Sequence, residues 1–154
     1  MSQSKEEGRE RSGCVRARIS LDAKGRDGVL SGIASATAAL CRSRGLLRSE
    51  GDIGSRVLSD LRRRESQGST AVGGGLAIPH ATIEGLQVPI LARVDLTHAV
   101  PWDVEHGGED VSRCFVVMTP PDTPAAKLKI LREVAEAVAE EGQGESLLPE
   151  QMPL

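Results

Sequence analysis

A chain of 154 residues with 39% hydrophobic content has the length of one ordinary domain and the apolar material for a sizeable core. One Phe, one Trp and no Tyr make that core aliphatic and remove the stacking platforms that single-stranded nucleic acid needs. A formal charge of −3 and a pI near 5.7 give no overall cationic field to draw it to DNA or to an anionic membrane.

Met1 to Gly13 is polar and highly charged and holds no apolar anchor, so it reads as a disordered N-terminal arm or a tag remnant. Val15, Ala17, Ile19 and Leu21 alternate with Arg16, Arg18 and Ser20, the period of a half-buried strand. Val29, Leu30, Ile33, Ala34, Thr37, Ala38 and Cys41 then recur at helical spacing up to Gly45, which predicts a helix from about Asp27 to Arg44. Ser49 with Asp52 resembles a capping box, and Ile53, Val57, Leu58 and Leu61 form the following stripe, so a second helix is expected from about Glu50 to Glu65. Gly68 to Gly75 is too rich in glycine and small polar residues for regular structure. Leu76 to His80 is short and apolar, with Pro79 limiting its ladder, and this puts His80 where strand becomes loop. Ile90 to Leu96 and Cys114 to Met118 read as buried strands separated by a turn-rich stretch from His98 to Glu109. Thr123 and Pro124 suit a helix N-cap and first turn, ahead of Leu128, Leu131, Ala135 and Val138, and predict a helix from Pro124 to Glu141. Residues 142–154 read as an irregular tail.

Strands and helices alternate, so the expected fold is α/β: one layered domain over 14–141, with a mixed sheet flanked by helices. Cys14, Cys41 and Cys114 are odd in number, far apart and without a CxxC, which suggests reduced buried thiols rather than a disulfide framework or zinc ribbon. No run approaches the ~20 apolar residues of a membrane span. The expectation is a cytoplasmic protein with no direct membrane insertion, no nucleic-acid partner, no metal and no cofactor.

The chemistry concentrates in GGGLAIPHA, Gly73 to Ala81, where one imidazole follows a glycine loop and a short strand. An isolated histidine is most often a structural one, and a glycine run alone means a turn. Its spacing also fails the GxxxxGK[ST] phosphate loop. The longer run RRRESQGSTAVGGGLAIPHA, Arg62 to Ala81, resembles the signature of the type-2 IIA domain of the bacterial phosphoenolpyruvate-dependent phosphotransferase system, its fructose/mannitol and nitrogen-regulatory branch. The likeness extends from about Val15 to Ala139. It implies a phosphohistidine relay in which His80, of the Pro-His pair, accepts a phosphoryl group. A neutral imidazole is nucleophilic near neutral pH when a hydrogen bond fixes which nitrogen is free.

By the same resemblance Arg64, in the Arg-Glu pair, stabilises the phosphoryl oxygens with paired donors. Arg62 and Arg63 read as solvated or as part of a docking rim. Ser69 and Thr70 match the family's Ser-Thr, and their hydroxyls, with the main-chain N–H groups of Gly73, Gly74 and Gly75, are the expected phosphate-binding donors. The family's second histidine, in a His-Leu pair at a helix start, is replaced here by Lys127 before Leu128. Lys127 works against the helix macrodipole there, which makes sense if it faces an anion, and otherwise marks a solvated lysine in a protein of altered activity. His98, His106 and Cys114 lack metal-ligand spacing, and Trp102 reads as a packing anchor. The implied donor is the carrier protein HPr, and the implied acceptor is a IIB domain or a regulatory target. With no IIB segment in this sequence, the nitrogen-regulatory type is the expected one. The rivals are a regulatory module switched by phosphorylation without onward transfer, and a degenerate one that binds without phosphorylation.

Overall fold

The structure is a computed structural model that describes residues 14–47, 51–104, 107–121 and 124–141, the last five by backbone alone. In chain order its elements are β1 (Val15–Leu21), α1 (Arg26–Arg44), α2 (Ile53–Ser66), β2 (Ala71–Gly73), β3 (Leu76–Ala77), β4 (His80–Thr82), β5 (Ile90–Pro101), β6 (Asp110–Thr119) and α3 (Pro124–Glu141). The strands make one six-stranded sheet in the order β1-β5-β6-β3-β2, with β4 also paired to β6. It is a mixed sheet: β1 runs parallel to β5, β5 antiparallel to β6, and both β3 and β4 parallel to β6. The expected α/β layering is therefore the observed one.

Alternation along the strands sorts side chains to two apolar layers. Val94, Val116 and Met118 face α1 and α2, meeting Val29, Ile33, Val57 and Leu61. Leu91, Phe115 and Val117 face the other way and meet Ile130 and Val134 of α3. The first helix ends as expected, at Gly45 with φ 62° and its N–H bonded to the Cys41 carbonyl. Cys14, Cys41 and Cys114 are buried, and burial raises all three thiol pKa values, that of Cys14 to about 11.

Four boundaries differ from the sequence reading. Asp52 itself caps α2, with Oδ1 accepting from the Ser55 N–H at 3.1 Å and Oδ2 from its hydroxyl at 2.8 Å, so the helix starts at Ile53; Ser49 and Glu50 lie outside the described residues. The stretch from Gly68 to Gly75 is not wholly irregular. Ala71–Gly73 pairs antiparallel with β3, and Gly74 and Gly75, at φ 66° and 81°, turn the hairpin in the backbone region that primed turns require. His80 opens a strand rather than ending one, because the ladder along β6 resumes at His80↔Val117 after Pro79. Finally, β5 and β6 are longer than expected: after a register break beyond Asp95 they pair again at Val100↔Val111 and Pro101↔Asp110, which narrows the turn-rich stretch. The arm over 1–13, the Thr123 cap and the 142–154 tail fall outside the described residues.

Candidate functional site

Two elements far apart in sequence meet at His80. Arg64 sits in the last turn of α2, and His80 begins β4 at the sheet margin, beside the interruption at Ile78 and Pro79. The Arg64 Nε–H donates to His80 Nε2 at 2.8 Å, and His80 Nδ1 lies 2.9 Å from the Ile78 carbonyl oxygen. A guanidinium has donors only, so Nε2 must accept, and the ring proton resides on Nδ1, where Ile78 receives it. Arg64 is itself anchored, its Nη1 donating to the Gly68 carbonyl at 2.7 Å.

The pKa of His80 is lowered, chiefly because burial disfavours the charged ring. The Arg64 and Lys127 charges lower it further, against the Ile78 carbonyl and the Glu65 charge, which raise it. The ring is thus held neutral with its Nε2 lone pair available. It opens into a cleft of about 130 Å³ lined by Asp60, Arg63, Arg64, Gln67, Ala81, Thr82 and Lys127 with His80 itself. That is below the ~300 Å³ at which small-molecule pockets begin, so the cleft suits a group carried on another molecule rather than a free metabolite.

The structure brings together three of the site residues expected from sequence, His80, Arg64 and Lys127, and adds Arg63, which the sequence reading left outside. Arg63 pairs with Asp60 at 2.8 Å. Arg62 is turned away, forked onto Asp27 of α1 with both contacts at 2.8 Å. Ser69, Thr70, Gly73, Gly74 and Gly75 do not line the His80 cleft. Thr70 is buried and donates its hydroxyl to Glu65 Oε1 at 2.9 Å, while Ser69 Oγ accepts from the Ala71 N–H at 3.1 Å. Ser69, Gly73 and Gly75 line a separate cleft of about 210 Å³, whose wall carries Asp103, Glu109 and Asp110. Three carboxylates repel an anion, and the glycines serve the hairpin instead.

Two contributors escaped the sequence reading. Thr82 reaches the cleft because it lies two residues beyond His80 on the same strand, a signal that period-2 spacing carries once β4 is known. Glu65, 6% exposed, accepts from the Thr70 N–H at 2.8 Å, the Thr70 hydroxyl at 2.9 Å and Trp102 Nε1–H at 2.9 Å. Trp102 is thus both a packing anchor and a donor. Nothing local in the sequence marks a carboxylate whose partners lie five and 37 residues away. His98 is 4.0 Å from Asp22 on the surface, His106 lies outside the described residues, and among the described residues no three potential metal ligands gather.

Comparison with known proteins bears on the family and the fold. The sequence profile of the family described as phosphoenolpyruvate-dependent sugar phosphotransferase system, EIIA 2, matches residues 29–151. The chain belongs to this EIIA 2 family. Among relatives, it is 37% identical over 79 residues to a nitrogen regulatory protein of Pseudomonas aeruginosa, a match that spans 51% of each chain. It is 33% identical over 67 residues to the Escherichia coli PTS system 2-O-alpha-mannosyl-D-glycerate-specific EIIABC component, covering 44% of this chain and 10% of that one. The chain therefore spans about half the length of the first relative and a tenth of the second. Its fold resembles that of the nitrogen regulatory protein IIA-Ntr of Neisseria meningitidis, with a TM-score of 0.68 at 22% identity over 89% of this chain and 87% of that one. It also resembles IIA mannitol of E. coli, with a TM-score of 0.58 at 11% identity over 92% and 91% of the two chains. No described helix is long and apolar enough to cross a membrane.

Proposed function

We propose that this EIIA 2 protein is a cytoplasmic phosphohistidine carrier that accepts a phosphoryl group from HPr on His80 Nε2. The observation that carries the reading is the neutral His80 ring, its tautomer fixed by Ile78, facing a cleft with Arg63, Arg64 and Lys127 on its walls. In the step, the Nε2 lone pair forms a bond to phosphorus as the phosphorus–nitrogen bond of the donor's phosphohistidine breaks. The donor imidazole, protonated on its other nitrogen, leaves neutral, and the His80 Nδ1 proton stays on Nδ1, hydrogen-bonded to the Ile78 carbonyl. Charge on the three equatorial oxygens is met by Arg64 as it releases Nε2, and by Lys127 as a point charge. Positioning and charge stabilisation supply most of the catalysis in such transfers.

Incubation with phosphoenolpyruvate, enzyme I and HPr tests this directly. Acid-labile label on the wild type, lost in His80→Ala, is the expected result; an unlabelled wild type beside a competent control IIA protein would refute it. The likeness to a nitrogen regulatory protein favours a second reading, in which phospho-His80 alters which target is bound. Label that passes to a IIB acceptor supports the carrier role, and label that stays supports the switch.

A further inference from the structure

The parallel register of β4 and β6 sets two threonines side by side: Thr82 lies opposite Thr119, as His80 lies opposite Val117. Partners across a ladder stand ~4.8 Å apart with their side chains on one face, and residues two apart along a strand share that face. His80, Thr82, Val117 and Thr119 therefore occupy the same face, the one that α3 packs on through Val117. Thr82 is half-buried and lines the His80 cleft. Thr119, the last residue of β6, is 1% exposed. Its Oγ1 is sealed from solvent and has no hydrogen-bond partner among the described residues. Of the four buried polar residues described, Thr37, Glu65, Thr70 and Thr119, it is the one left with such an atom.

Neither packing nor capping explains that hydroxyl. Other buried positions of β6 carry Val111, Val116 and Val117, and valine has the shape of threonine without a polar group to satisfy. The α3 helix begins at Pro124, and none of its described N–H groups bonds Thr119 Oγ1. A buried hydroxyl without a partner destabilises the fold, so its presence calls for a partner that arrives later. The cleft has a matching need. Arg64 gives Nε to the His80 ring and Nη1 to the Gly68 carbonyl, and Arg63 gives Nη2 to Asp60. A neutral donor meets an arriving anion without first breaking such bonds.

We infer that Thr82 donates its hydroxyl to a phosphoryl oxygen carried on His80 Nε2, and that Thr119 is the positioning residue behind it. The Thr119 O–H donates to Thr82 Oγ1, which accepts on a lone pair while its own proton is directed into the cleft. At ladder spacing the two Oγ atoms come within bonding distance by rotation about χ1, with no movement of the backbone. Donation to an anion is stronger than donation to a neutral acceptor, and bonds in a chain strengthen one another, so the pair closes when the phosphoryl group is present. The Thr119 hydroxyl then gains the partner that it lacks in the unphosphorylated protein. The inference rests on the carrier reading and adds two neutral groups to the cations that serve it.

The test equilibrates the full-length protein with HPr and phospho-HPr and measures how the acid-labile label divides between the two proteins, beside urea unfolding of the unphosphorylated chain. Thr82→Val is expected to shift the label about tenfold towards HPr, the loss of one hydrogen bond to a charged group, and Thr82→Ser to restore most of it. Thr119→Val is expected to shift the label in the same direction while raising the urea midpoint, because it removes an unpartnered hydroxyl. A threonine that merely held the fold together would lower the midpoint and leave the division unchanged. Since Thr119 acts through Thr82, Thr82→Val/Thr119→Val should divide the label as Thr82→Val alone does. An unchanged division in Thr82→Val, a further shift in the double variant, or a lower midpoint for Thr119→Val would each overturn the inference while the wild type still takes label. A wild type that takes none overturns the carrier reading and this inference with it, so the two failures are told apart.

Discussion

Replacing Glu65 measures what holds the end of α2 against the rest of the site. Its carboxylate takes two N–H donors on Oε2, from Thr70 and Trp102, and the Thr70 hydroxyl on Oε1. Glutamine with its oxygen in the Oε2 position keeps both N–H bonds, and its amide can donate to a Thr70 hydroxyl that rotates to accept. What is lost is the charge assistance, so Glu65→Gln should cost about 1–2 kcal/mol. Alanine leaves two buried N–H groups unsatisfied and opens a void beneath Trp102, which is 1% exposed. Each orphaned group costs roughly 1–3 kcal/mol, so Glu65→Ala should lose about 3–5 kcal/mol. Urea unfolding followed by Trp102 fluorescence gives both numbers, and the indole ¹⁵N–H resonance reports the hydrogen bond. Equal losses for the two variants, or a loss below ~1 kcal/mol for alanine, would show that the network does not anchor this turn. Glu65 is adjacent to Arg64, so Glu65→Ala should also slow labelling of His80 more than Glu65→Gln does.

Arg64→Ala should reduce the rate of phosphorylation by HPr about 10²-fold, the usual effect of removing one preorganised donor, with Arg64→Lys recovering part of it. Since the folded-state pKa of His80 is lowered, its NMR titration should have a midpoint below the usual 6.5, and Lys127→Ala should raise that midpoint and shorten the lifetime of phospho-His80. The same shift has a sign for stability: the unfolded chain binds the proton more readily, so the His80 contribution is complete above the unfolded pKa and is lost as pH falls through the folded one. That loss should show as a steeper acid limb in wild type than in His80→Gln. Gly74→Ala should destabilise by about 1–2 kcal/mol because φ is 66° there, yet leave the labelling rate unchanged, as expected of a hairpin turn rather than a phosphate cradle.

The long periodic elements were legible from sequence because their burial pattern is written in spacing: β1, α1 and α3 fall within a residue of the expected limits. Short edge strands were not, since β2, β3 and β4 have three, two and three residues, too few for a period to declare itself. The roles of the glycines followed the same limit. A backbone that permits close approach to a phosphate also permits a tight hairpin, and only the acidic wall of Asp103, Glu109 and Asp110 distinguishes the two. Arg64 and His80 were legible through the resemblance, whereas Arg63 and Thr82 needed the direction of each side chain, which depends on helix phase and sheet register.

The site divides into a local part and a remote part, and this division bears on how a lysine can stand where the family resemblance implies a second histidine. Proline at 79 has no N–H to give the ladder, so the chain leaves β3, pairs through its own carbonyl with the Val117 N–H at 3.0 Å, and re-enters as β4. That detour leaves the Ile78 carbonyl facing the ring only two residues on, which fixes the His80 tautomer from within the strand itself. The cationic groups of the cleft arrive from elsewhere, on the last turn of α2 and the first turn of α3. In the proposed transfer, a change among the remote groups would therefore tune the rate and lifetime of the phosphorylated state without altering which nitrogen attacks. Lys127 is a flexible point charge among those remote groups, and the Nδ1-protonated form of His80 should persist in Lys127→Ala.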